Sequence, residues 1–204
     1  MSDADAAPRP VEVTGGLYDF LSSAFADPPE PEAIAELASV DLGVDGPTAG
    51  ETSLGDGLEA LREWGDSVDD PQAEADRLAR EHTRLFVGPK PVLQIHESYY
   101  AEDYLGKPLA KVKGTYAAQN LQPGEDLREE ADHAAVELAA LATLCRRGDE
   151  EDVAFFLREH GWWLPELAED VREMTDEPFY EAIATILDGL VEFDATRLEV
   201  DLER

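Results

Sequence analysis

The stretch QIHESYY, residues 94–100, places a histidine, a glutamate, a serine and two tyrosines directly after the proline-flanked segment VGPKPV. These side chains can transfer protons, form hydrogen bonds or bind a metal ion. A second group with chemical potential is Glu130 and His133. Their Glu-x-x-His spacing is the one that supplies ligands in di-iron helical bundles. These residue types are compatible with metal binding or with catalysis.

Neither kind of site is supported. A di-iron site needs the Glu-x-x-His pair twice, and none of the other histidines, His82, His96 and His160, follows a glutamate at that spacing. The chain has no Gly-x-Ser-x-Gly elbow of a serine hydrolase and no glycine-rich phosphate-binding pattern. We expect no catalytic residue, no metal and no cofactor. A metal- or cofactor-binding helical bundle that uses Glu130 and His133 stays as an alternative, as does a helical regulatory adaptor.

Negative charge dominates the composition. Asp and Glu number 47 against 16 Lys and Arg, which gives a formal net charge of −31. A polyanion would be repelled by such a surface, so nucleic acid is excluded as a partner. The excess of acid with few lysines is typical of proteins from salt-loving archaea. At about 1 M salt the screening length is only ~3 Å, so self-repulsion is largely removed there. We expect a halophilic protein.

The compartment is indicated by what the sequence lacks. Cys145 is the single cysteine, so there is no internal disulfide and no CxxC motif, which fits a reducing compartment. The N-terminal residues MSDADAAPRPVEV contain neither a basic region nor an apolar run. No segment approaches the ~18 apolar residues of a spanning helix. We expect a cytoplasmic protein that is not an integral membrane protein.

Helical periodicity runs through almost the whole chain, and no segment alternates as a strand would. Residues 41–57, rich in Gly, Asp and Thr, are predicted as a loop, and Asp70 with Pro71 as a helix start. Asp126 and Glu129 have the spacing of a capping box and are predicted to begin the longest helix.

These patterns predict an all-α, single-domain helical bundle of roughly eight to ten helices. We expect a flexible acidic segment over residues 1–13, the helical domain over 14–194 and a tail over 195–204.

The order of six segments resembles the TorD/DmsD family of molybdoenzyme maturation chaperones, relatives of the NarJ group. The segments are EHTRLFVGP, QIHESYY, KGTYAAQNLQP, EEADHAAVELAALATL, FLREHGWW and PFYEAIATILDGLVEF. The resemblance covers residues from about Tyr18 to Phe193. The resemblance implies an all-helical chaperone, not an enzyme. Its implied partner is the catalytic subunit of a molybdenum-cofactor oxidoreductase of the dimethyl sulfoxide, trimethylamine N-oxide or nitrate reductase type. Such a chaperone binds the twin-arginine signal peptide and holds the apoenzyme until the cofactor is loaded.

The resemblance also implies a set of peptide- or partner-binding residues. They are Leu85, Phe86, Glu97, Ser98, Tyr100, Tyr116, Asp132 and His133. This chain departs from the family at Ala131, where a proline is common, and at His82, where some members have an aromatic residue.

The chemistry of the predicted residues is compatible with this role. Glu97 and Asp132 could accept bidentate hydrogen bonds from guanidinium groups, beside an apolar groove lined by other members of the set.

Each residue also has a packing interpretation. Leu85 and Phe86 fall on the apolar face of their own helix, and Glu97 with Ser98 could only cap the next one. The remaining packing interpretations are a helix-surface pair of His133 with Glu137, a packed Tyr116 with a bonded hydroxyl, and Trp162 and Trp163 as core and rim.

Overall fold

The computed structural model of the chain describes residues 10–40, 52–88, 90–101, 107–122 and 129–202. Within these residues ten helices follow one another, and no strand is formed. They are α1 (Pro10–Ala26), α2 (Pro31–Leu37), α3 (Ser53–Asp66), α4 (Pro71–Phe86), α5 (Glu97–Tyr100), α6 (Lys107–Ala118), α7 (Ala134–Arg147), α8 (Glu150–His160), α9 (Leu164–Met174) and α10 (Pro178–Arg197). The predicted all-α bundle is confirmed.

Local capping chemistry sets several helix ends. Asp70 accepts hydrogen bonds from the backbone N–H groups of Gln72 and Ala73, at 3.0 and 3.2 Å, where α4 begins. At the other end of a helix, α7 stops at Gly148, whose φ of 71° is a left-handed conformation that glycine adopts without steric cost. The start of α4 agrees with the sequence prediction at Asp70 and Pro71.

The core is built around α7, which packs along α1, and around α10, which packs along α3. Leu138, Leu141 and Leu144 of α7 are fully buried. Two glycines allow α3 and α10 to approach closely. A Cβ atom at Gly189 would lie 2.1 Å from the Leu54 nitrogen, and one at Gly57 would lie 2.7 Å from the Ile186 nitrogen.

The loop predicted over residues 41–57 was too long. Residues 41–51 lie outside the described residues, but α3 already begins at Ser53, after Thr52 accepts a hydrogen bond from the Gly55 nitrogen at 3.2 Å. The glycines at positions 55 and 57, which suggested a loop, are helical residues. Gly57 is small because another helix passes close by.

The predicted start of α7 was also wrong. The helix begins at Ala134, and its cap is His133, whose Nδ1 accepts a hydrogen bond from the Ala135 nitrogen at 3.2 Å. Glu129 therefore precedes the helix, and Asp126 lies outside the described residues. With 14 residues α7 is shorter than α10, which with 20 residues is the longest helix among the described residues.

The helical part extends further than predicted at both ends. α1 begins at Pro10, before the predicted boundary at residue 14, and α10 ends at Arg197. Beyond α10, Val200 still packs against the core. Among the described residues, none of the helices combines the length and the apolar character needed to cross a membrane.

Candidate functional site

Two loop segments meet in front of α5 and α7. The Ala134 nitrogen donates a hydrogen bond to the Ile95 oxygen at 2.9 Å, and the Glu97 nitrogen donates one to the Asp132 oxygen at 2.8 Å. The carboxylate of Asp132 also accepts a hydrogen bond from the Ser98 nitrogen at 3.3 Å. We call residues 95–98 and 131–134 the junction. It brings together two sequence motifs that lie far apart in the chain.

Behind the junction, Glu97 is fully buried and has polar partners on both carboxylate oxygens. Its Oε2 is 2.8 Å from Nδ1 of His160, and its Oε1 accepts a hydrogen bond from Nε1 of Trp162 at 3.1 Å. The second ring nitrogen of His160 is 2.9 Å from the hydroxyl oxygen of Thr115. These contacts hold α5, α6 and α8 together through one buried network, which satisfies the hydrogen-bonding needs of a buried carboxylate.

A second buried carboxyl group, that of Glu137, lies next to this network. Its Oε2 accepts a hydrogen bond from Nε1 of Trp163 at 2.9 Å, while its Oε1 has no hydrogen-bond partner among the described residues. Burial, and then the nearby Glu97 carboxylate, raise the pKa of Glu137 well above its usual range. The raised pKa favours the protonated form of Glu137, in which the cluster avoids two adjacent buried negative charges.

The residues able to hold a metal ion differ from Glu130 and His133, the pair named in the alternative hypothesis. One potential ligand atom from each of Glu97, Glu137 and His160 lies within 4.8 Å of the others. By contrast, Glu130 is exposed and pairs with Lys113, whereas His133 is buried. The Glu-x-x-His pair thus lies in two different environments. Nothing in the local sequence around His160 indicates that its partner is Glu97.

The apolar members of the predicted site are core residues. Leu85 is fully buried, and Phe86 packs its ring 5.6 Å from that of Phe25 and 5.8 Å from that of Tyr180. The Leu93 nitrogen donates a hydrogen bond to the Leu85 oxygen at 2.9 Å, which returns the chain toward the junction. In this conformation both side chains support the site from within.

The two tyrosines of the predicted site occupy different positions. Tyr116 is buried, donates its hydroxyl hydrogen to the Ala131 oxygen at 2.9 Å and stacks on Phe156. The packing interpretation of Tyr116 is confirmed. Tyr100 is half-buried and donates to the Asp170 carboxylate at 2.8 Å. Of the predicted residues, only Tyr100 and Ser98 reach the surface to this extent.

His133 is a buried cap, and the predicted helix-surface pair with Glu137 was wrong. Both side chains are buried, and the hydrogen bond of Glu137 goes to Trp163 instead. Burial, with the ring of His96 at 5.0 Å, lowers the pKa of His133 to about 4. His133 is therefore neutral at pH 7, which leaves Nδ1 free to accept the hydrogen bond from the backbone of α7. Trp163 is buried and Trp162 is half-buried, which is the reverse of the predicted core and rim positions.

Comparison with known proteins gives a consistent result. The sequence profile of the nitrate reductase delta subunit family matches residues 51–185. Chaperone protein TorD of Shewanella pealeana is 30% identical over 137 residues, which are 61% of this chain and 62% of that protein. Chaperone protein TorD of Vibrio parahaemolyticus is 25% identical over 202 residues, which are 89% of this chain and 93% of that protein.

A solved structure has the same fold. The crystal structure of a proposed redox enzyme maturation protein from Archaeoglobus fulgidus aligns with a TM-score of 0.54 at 20% sequence identity. The alignment covers 95% of this chain and 98% of that one, so the likeness extends over the complete bundle.

Proposed function

Because the chain belongs to the nitrate reductase delta subunit family, we propose that it is a maturation chaperone for a molybdenum-cofactor oxidoreductase and not an enzyme. The observation that carries the proposal is the match to a TorD chaperone over 93% of that protein's length. The chaperone binds the twin-arginine signal peptide of the apo catalytic subunit in the cytoplasm. It assists cofactor insertion and assembly before the client is exported.

The junction supports a binding role. It joins Glu97, Ser98, Asp132 and His133 into one unit, although Ser98 and Asp132 are 34 residues apart in the sequence. The buried network behind it fixes α5, α6 and α8 relative to one another. A binding surface held by rigid elements and satisfied hydrogen bonds loses little conformational entropy when a peptide docks.

The charge of the protein also suits the proposed ligand. A net charge of −31 attracts a peptide that carries two arginines and increases its rate of encounter. Guanidinium groups bind carboxylates through paired hydrogen bonds, and the acidic surface offers many acceptors.

We propose that the buried residues of the predicted site shape the junction and do not contact the peptide themselves. Glu97, Tyr116, Asp132 and His133 are buried, so we propose that they fix the shape of the junction. Ser98 and Tyr100 are the members of the set that would meet the peptide directly.

The function is tested by titrating the protein calorimetrically with the leader peptide of a molybdenum-cofactor oxidoreductase encoded beside it. We expect binding, and we expect a leader with both arginines replaced by alanine to bind at least about tenfold more weakly, as the loss of desolvated charged contacts would cause. An equal affinity for the two peptides would contradict recognition of the arginine pair. No binding of either would contradict the proposed function.

A pair of variants at Asp132 separates a charge contact from a positioning role. Asp132→Asn keeps an oxygen that can accept the hydrogen bond from Ser98, whereas Asp132→Ala removes it. If Asp132 positions the junction, only Asp132→Ala should weaken leader binding. If its charge binds arginine directly, both variants should lose about 2–5 kcal/mol, more than the ~0.2–1 kcal/mol of a screened surface pair. Melting curves show whether each variant is folded.

Metal binding is a second candidate function, favoured by the arrangement of Glu97, Glu137 and His160. It is tested by elemental analysis of protein purified at high salt, with Glu137→Gln as the comparison. A stoichiometric metal that this variant loses would support metal binding, and metal-free wild-type protein would contradict it.

A further inference from the structure

A groove of about 730 Å³ lies between α1, α2, α7 and the start of α10. Its apolar wall is formed by Phe20, Ala24, Leu37, Ala139 and Phe179. The turn between α1 and α2 closes one side with Pro28 and Pro29. A volume of this size and an apolar wall are typical of sites that bind several side chains of a ligand.

The rim of the groove is acidic. Asp19, Asp27 and Glu36 line it, and all three lie at the surface. Asp19 pairs with Arg146 at 3.3 Å, but no ion pair to Asp27 or Glu36 is formed among the described residues. None of the described lysines and arginines lines the groove. Two carboxylates are thus available beside an apolar surface.

The groove is connected to the junction through the start of α7. Ser22, which also lines the groove, donates a hydrogen bond to the Ala135 oxygen at 2.8 Å. The nitrogen of Ala135 donates a hydrogen bond to Nδ1 of His133, which caps α7. The junction therefore fixes the helix end against which α1 and the groove are placed.

We propose that this groove is a docking site for a peptide segment in which cationic side chains adjoin an apolar run. Apolar side chains of the segment pack on Phe20 and Leu37, and its cations pair with Asp27 and Glu36. The inference rests on the proposed function, since the leader peptide of a client has this chemistry.

The charge on the rim favours this occupant over others. A polyanion would be repelled by the rim carboxylates. A second copy of the chain would bring another net charge of −31 to the same surface. A basic and apolar peptide gains from both parts of the groove. Because proline has no backbone N–H, the Pro28–Pro29 edge can accept but not donate backbone hydrogen bonds to the peptide.

Charge reversal on the rim tests the electrostatic part. We expect Asp27→Lys with Glu36→Lys to weaken leader binding by about tenfold or more, measured by calorimetry at the lowest salt at which the protein keeps its helical circular dichroism spectrum. The matched control is Glu151→Lys with Glu192→Lys on α8 and α10, which changes the net charge equally at exposed positions outside the groove. The control should bind within about twofold of wild type if the effect is local.

Truncating an aromatic side chain in the groove wall tests the proposed apolar contacts with the peptide. We expect Phe20→Ala to weaken binding, with Phe155→Ala as a control because Phe155 is an exposed phenylalanine on α8 outside the groove. Melting curves check that Phe20→Ala is folded, and the rim variants decide the question if it is not.

The outcomes distinguish the two proposals. If wild-type protein binds the leader and the rim variants bind it equally well, the proposal that the groove is the docking site is contradicted, while the chaperone function stands. If both double variants weaken binding equally, the effect comes from the net charge, and the docking proposal is again contradicted. If wild-type protein binds no leader, the proposed function fails and the groove fails with it.

Discussion

The energetic cost of burying the carboxyl group of Glu137 depends on whether the group is protonated. It has a hydrogen bond from Trp163 on one oxygen and, among the described residues, no partner on the other. Glu97 lies nearby and already has two polar partners, His160 and Trp162. A protonated Glu137 avoids the cost of a second buried charge, which would otherwise be several kcal/mol.

We predict that Glu137→Gln makes the protein more stable than wild type at pH 7–8. Burial raises the pKa of Glu137 in the folded state, so the folded protein binds a proton that the unfolded chain releases above about pH 4.3. Wild-type stability therefore falls as the pH rises from the pKa of the unfolded chain toward that of the folded protein. The loss is about 1.4 kcal/mol for each pH unit between these two pKa values. Glutamine cannot titrate and still accepts the hydrogen bond from Trp163.

The measurement is urea unfolding of both proteins between pH 4 and 8 at constant high salt. The stability difference should shrink toward pH 4. The surface variant Glu169→Gln is the control, for which we expect no such pH-dependent difference. Parallel pH profiles for wild type and Glu137→Gln would contradict a protonated Glu137.

The close contact of α3 with α10 depends on glycine. A Cβ atom at Gly189 would meet the backbone of Leu54 and of Ser53, neither of which can move aside as a flexible side chain can. The same contact contains Gly57, whose Cβ would meet the backbone of α10 at Ile186. Two glycines, one from each helix, thus set the distance between the helices.

We predict that Gly189→Ala lowers the free energy of unfolding by about 1–3 kcal/mol or more, because the added methyl group forces α3 away from α10. Gly114→Ala in α6 is the matched control, since a Cβ there meets nothing within 4 Å. It should raise stability by roughly 0.5–1 kcal/mol through helix propensity alone. Thermal melting of the two variants measures both effects, and a neutral Gly189→Ala would show that the helices can separate without cost.

The charge of the complete molecule is poorly balanced by its ion pairs. Several arginines bond carboxylates on their own helix, as in Arg62 with Glu59 and Arg84 with Glu81. Exposed pairs of this kind contribute only about 0–1 kcal/mol each, so they do not offset the repulsion of a net charge of −31.

We predict that the isolated protein loses helicity and melts at lower temperature as salt falls from molar to millimolar concentration. The screening length grows from ~3 Å at 1 M to ~30 Å at 0.01 M, so repulsion acts across the whole bundle at low salt. Circular dichroism across a salt series is the measurement. An unchanged spectrum and melting temperature would contradict a halophilic protein.

The fold class and most helices could be predicted from the sequence because helical periodicity and capping are local. The apolar spacing of α1, α4 and α10 and the Asp70–Pro71 start are visible without knowledge of the fold. Predictions failed where a local signal had a tertiary cause. Gly55 and Gly57 suggested a loop, yet they lie in a helix, and Gly57 is small because α10 passes close by.

The candidate site depended on the tertiary structure. Glu97 and His160 are 63 residues apart, and only the packing of α5 against α8 brings them to 2.8 Å. The sequence indicated which residue types belong to the junction, but a carboxylate looks the same in sequence whether it is exposed or buried. Burial decides that Glu97 and Asp132 face the interior and that Asp27 and Glu36 face solvent at the groove. Burial depends on contacts between distant parts of the chain, which no local pattern records.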